Sequence, residues 1–86
     1  MHEMSLMADL LRKIEQVARA EGATRVTRVR VHLGALSHIS AEHFTEHFVI
    51  GTQGTLAEGA AVDVTVGGDE AAPDAQDIRL TSLVVE

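Results

Sequence analysis

The spacing of apolar residues changes across Gly22, and that change limits what this chain can fold into. Before it, Met4, Met7, Leu10, Leu11, Ile14, Val17 and Ala18 recur at intervals of three and four, with Arg12, Lys13, Glu15, Gln16 and Arg19 between them. One apolar stripe of this kind predicts an amphipathic helix over 4–21, stopped at Gly22. After it, residues 25–33 (RVTRVRVHL) alternate. Val29, Val31 and Leu33 then share one face of a strand, and Arg28, Arg30 and His32 the other. Val26 falls on the second face, so a bulge or a cover is expected at the strand's start.

The helical period returns over 41–50. Ser40 is placed to cap this second helix, Ile39 and Phe44 have the spacing of a hydrophobic staple, and Phe48 follows Phe44 one turn on. GTQGTLAEGA reads as a loop. Residues 61–66 (AVDVTV) alternate again, as do 77–86, where Ile78, Leu80, Ser82 and Val84 oppose Arg79, Thr81, Leu83 and Val85. The apolar run Leu83-Val84-Val85 predicts a strand covered on both faces at its end. The expected fold is α/β (α+β) in the order α-β-α-β-β, a three-stranded sheet packed by two helices. The second helix would cross between two parallel strands, a connection that is right-handed as a rule. Strand order is left open by the pattern.

With 86 residues, one domain over 1–86 is expected. A domain of this size buries roughly 60–65% of the surface its unfolded chain exposes. Two Phe and no Trp or Tyr leave the core to aliphatic side chains. The formal charge is −6, and six of the seven basic residues precede position 31. Neither a nucleic-acid nor an anionic-membrane surface suits that balance; a cation or a basic partner does. No apolar run approaches a membrane span of about 20 residues, and no signal peptide is evident, so the cytoplasm is the expected compartment. The absence of cysteine excludes disulfides, thiolate nucleophiles and Cys-ligated zinc. With no nucleophile elbow and no Gly-rich phosphate loop, binding is expected and catalysis is not.

The candidate binding residues are few. Met1-His2-Glu3 sets an α-amine, the His2 amide and the His2 imidazole on one short segment. Donors so placed can wrap around Cu²⁺ or Ni²⁺, which favour nitrogen-rich tetragonal sites. His43 and His47, four apart on the second helix, have a spacing that can hold zinc, with Glu42 and Glu46 nearby; the same residues also describe a plain polar face. The order His-Phe-Thr-Glu-His is not the HExxH of a zinc protease. His32 reads as a surface residue on the arginine face and His38 as part of a turn.

The start MHEMSL, the strand-to-turn VRVHLGALS, the loop GTLAEGA and the final LVVE resemble, in the same order, the HypA/HybF family. These are nickel-insertion accessory proteins for [NiFe]-hydrogenase maturation and, in some organisms, for urease. The resemblance implies nickel ligands at the Met1 amine and the His2 imidazole and amide, with Glu3 adjacent, supplying its amide or its carboxylate. It also implies two partners, the maturation GTPase HypB and a hydrogenase large subunit. The family inserts a zinc domain with two CxxC pairs before its last strand. Here residues 67–76 (GGDEAAPDAQ) stand in that place, so Ni²⁺ is expected without structural zinc. An adaptor that does not use metal is the alternative reading. A monomer or a weak homodimer is expected, the latter through an exchanged last strand or a shared nickel ion.

Overall fold

A computed structural model describes the backbone of residues 2–86 and the side chains from Leu6 onward. Helix α1 spans His2–Ala20, β1 Val26–Leu33, α2 Ala41–Gly51, β2 Ala61–Val66 and β3 Ile78–Val85. The order α-β-α-β-β is the expected one. The sheet runs β2-β1-β3, with β1 parallel to β2 and antiparallel to β3.

Helix α1 buries Met7, Leu10, Ile14 and Ala18, the stripe predicted by the three-and-four spacing. It begins two residues earlier than expected, taking in His2 and Glu3. Its end is a Schellman motif. Gly22 has φ 69°, its N–H donates to the Arg19 carbonyl, and the Ala23 N–H donates to that of Ala18. Helix α2 opens on Ser40, whose hydroxyl oxygen accepts from the His43 N–H at 3.1 Å. Phe44 and Phe48 are 0% and 1% exposed and stack with centroids 6.0 Å apart. Ile39 is buried before the cap, as a staple requires. One core joins these residues to Val26, Val29, Val31 and Leu33 of the central strand.

Two bulges set the faces of the sheet. Val26 pairs with Val85 but Arg28 with Val84, so Thr27 is the extra residue and Val26 turns inward. The irregularity expected at this end of the strand is therefore a bulge, and Val26 is fully buried. The second bulge corrects the reading of β3. Arg30 pairs with Ser82 and Val31 with Leu80, which leaves Thr81 unpaired. The core-facing set consequently switches from Ile78 and Leu80 to Leu83 and Val85. Val84 lies outside at 47% exposure, so this end of the strand is covered on one face and not on two.

The 67–77 connection folds back over the turn after β1. Leu36 N–H donates to the Ala75 carbonyl at 2.7 Å and Gly34 N–H to that of Asp77 at 2.9 Å. Ala75 is buried against Gly34. This segment reads from sequence as an acidic polar loop, but it is tied down by a contact 41 positions away from its anchor (75 − 34).

Candidate functional site

The predicted metal residues lie at the start of α1. Met1 is outside the described residues, as are the side chains of His2 and Glu3; the backbone of His2 and Glu3 is helical. That backbone state matters chemically. The first N–H groups of a helix have no intrahelical acceptor, so the amides of His2 and Glu3 are not consumed by the helix. An α-helical ψ of about −42° also brings successive backbone nitrogens to the same side, whereas an extended ψ of about +135° turns them apart.

Leu6 lines a groove with Leu36, Ser37, His38, Gln76 and Asp77. One wall is the turn from the VRVHLGALS segment and the other the end of the 67–77 connection. Both walls stand where they do because Gly34 lets the Ala75 backbone approach. The groove thus brings His38 and Asp77 beside Leu6 in the second turn of α1, an association that the sequence reading missed. His38 is exposed and has φ 62°, in the left-handed region. That conformation costs a non-glycine residue about 1–2 kcal/mol. His38→Gly is expected to raise stability by about 0.5–1 kcal/mol in a urea melt, the glycine's own loss of unfolded-state freedom offsetting part of the relief.

The second predicted pair is brought together. The His43 and His47 Nε2 atoms are 2.9 Å apart, with ring centroids at 4.6 Å. Among the described residues no group of three or more His, Cys, Asp or Glu side chains is gathered as for a metal, so Glu42 and Glu46 do not complete this pair. His32 lies elsewhere, on the sheet face away from the helices, with its Nδ1 2.7 Å from the Thr65 hydroxyl.

That outer face carries an ion network across β1 and β2. Asp63 accepts from Arg28 at 2.7 Å and from Arg30 at 3.4 Å. The Arg28 hydrogen bond, more than any other cause, holds the Asp63 carboxyl below its ordinary 3.8; desolvation opposes this, and the charges of Arg28 and Arg30 add to it. A carboxyl lowered on folding stabilises the native state above its unfolded value and loses that contribution as pH falls. Urea midpoints measured from about pH 5 downward are therefore expected to fall more steeply for the native sequence than for Asp63→Asn.

The family model described as hydrogenase/urease nickel incorporation, metallochaperone, hypA matches residues 1–71. This chain belongs to the HypA family. The hydrogenase maturation factor HypA of Acidithiobacillus ferrooxidans is 41% identical over 64 residues, covering 74% of this chain and 57% of that protein. The HypA of Rhodobacter capsulatus is 42% identical over the same shares. The chain thus spans little more than half the length of the curated HypA proteins it matches. The fold is that of the solution structure of the Ni metallochaperone HypA from Helicobacter pylori. The TM-score is 0.79 at 20% identity, over 99% of this chain and 97% of that one. The HypA match stops within the 67–77 connection, so β3 is aligned by structure and not by the family pattern.

Proposed function

We propose that this chain is a nickel metallochaperone of hydrogenase maturation. It takes Ni²⁺ at the Met1 amine, the His2 amide and the His2 imidazole, with Glu3 giving its amide or its carboxylate. The observation that carries the reading is the helical start at His2, in a chain whose HypA match begins at residue 1. It supplies adjacent backbone nitrogens free of helical acceptors. The positive end of the helix dipole would repel a bare cation. It favours anionic donors, so an ion whose amide ligands have given up protons fits that end better than an ion held by neutral groups. Glu3 in the first turn works in the same direction.

Binding in this form releases protons and weakens in acid. The α-amine, with a reference pKa of about 7.7–8.0, supplies a minor neutral fraction near pH 7. Such a site is open and small, as delivery to another protein requires. Cu²⁺ would bind the same atoms more tightly, so choice of metal rests on supply and on partners. The chain carries the ion and transforms no substrate. Its recipients are a hydrogenase large subunit and the GTPase HypB, with urease maturation a further outlet, and its compartment is the cytoplasm. Among the described residues no helix is long and apolar enough to cross a membrane.

The test is restoration of hydrogenase activity at limiting nickel in cells lacking their own HypA. The native sequence should restore it and His2→Ala should not. Full restoration by His2→Ala, with the partners still bound, would favour the metal-free adaptor.

A further inference from the structure

The imidazoles of His43 and His47 form a contact that the N-terminal reading does not use. Their Nε2 atoms face each other at 2.9 Å, so only one can carry a proton in the gap while the other offers a lone pair. A metal ion can replace that proton and accept both lone pairs. Two nitrogens bound at the usual 2.0–2.1 Å and held at a right angle lie about 2.9 Å apart, and at a tetrahedral angle about 3.3 Å. The observed 2.9 Å is the length of the hydrogen bond between the rings, and it already places both nitrogens within reach of one ion, as nitrogen-preferring Ni²⁺ or Cu²⁺ requires.

The pair is also held by its helix. Each histidine directly precedes a buried phenylalanine, Phe44 or Phe48, so packing fixes the turn that carries both rings. Among the described residues, neither ring has another side-chain hydrogen bond, so no other side chain competes with a shared ion for their nitrogens. Glu42 and Glu46 on the same helix, in a chain of net charge −6, favour a cation there. The surrounding surface comes from α2 alone and includes the exposed Val49 and Ile50. It shares no residue with the groove beside Leu6.

We infer that α2 carries a second metal site, in which the His43 and His47 imidazoles chelate one Ni²⁺-class divalent ion. Two protein donors leave the other coordination positions to water or to a donor from another molecule. The site is open, suited to passing an ion and not to locking one in place.

The experiment is a calorimetric Ni²⁺ titration of protein acetylated at Met1, which takes the terminal amine out of play. About one ion per chain is expected, with affinity falling roughly tenfold or more in His43→Ala and in His47→Ala, at least the loss that follows removal of a ligand's supporting group. Half an ion per chain with a doubled mass would show two pairs sharing one ion and would equally support the site. His32→Gln, whose ring lies on the sheet, should bind like the parent. No binding by the acetylated protein, or binding as tight as the parent's in both alanine variants with circular dichroism unchanged, would overturn the inference. Failure of the terminal reading appears separately. There, a His43→Ala/His47→Ala protein with a free Met1 amine would bind no Ni²⁺, while the acetylated parent still did.

Discussion

A protein acetylated at Met1 is expected to bind Ni²⁺ at its terminus on the order of 100-fold more weakly than the free-amine form. Acetylation turns the Met1 amine into an amide. An amide gives up its proton far less readily than an ammonium group does, and the acetyl cap offers no amine in its place. Folding should be untouched, because the addition lies beyond the first helical residue, His2. The comparison needs His43→Ala/His47→Ala in both proteins, so that α2 contributes nothing. Unchanged affinity in the acetylated protein would remove the amine from the ligand set.

The second large effect is on the fold. Gly34→Ala is expected to destabilise by about 3 kcal/mol, the upper range for overpacking. For a domain of this size that lowers Tm by about 12–24 °C. A methyl group at Gly34 would run into the backbone carbonyls of Ala75 and Asp74. Backbone on both sides cannot rotate away as a flexible side chain would. Gly68→Ala is the control, since nothing lies within 4 Å of the added carbon. Its stability should stay within about 1 kcal/mol of the parent. A Gly34→Ala protein as stable as the parent would mean that the 67–77 connection does not rest on this turn. Such a protein should also show whether the groove of Leu6, His38 and Asp77 contributes to the terminus, because its walls would part.

Local pattern carried much of the architecture. The spacing from Met7 to Ala18, the Ser40 cap and the alternation of Val29, Val31 and Leu33 each report on neighbours within a turn or a pleat, and each reappears in the structure. Strand β3 shows where such reading fails. An alternation in sequence assumes one residue per pairing step, and the unpaired Thr81 breaks that count without any glycine to mark it. Left-handed His38 is silent for the same reason, since glycine is the usual sign of that conformation. The docking of Ala75 on Gly34 is a long-range contact that no local period encodes.

The candidate site divides in the same way. The proposed donors at Met1, His2 and Glu3 rest on residue type and order alone. The proximity of His43 and His47 follows from helical spacing, though its 2.9 Å separation does not. The groove beside Leu6 joins three chain segments and was not legible at all.

The central claim is that the amino-terminal nitrogens hold nickel. Its most direct test is a Ni²⁺ titration of protein with a verified free Met1 amine beside His2→Ala, following heat and the d–d absorption band. Both proteins would carry the His43→Ala/His47→Ala changes. Stoichiometric binding with the band of a planar nitrogen site, lost in His2→Ala, is the expected result. Equal binding by the two proteins, or none by either, would contradict it.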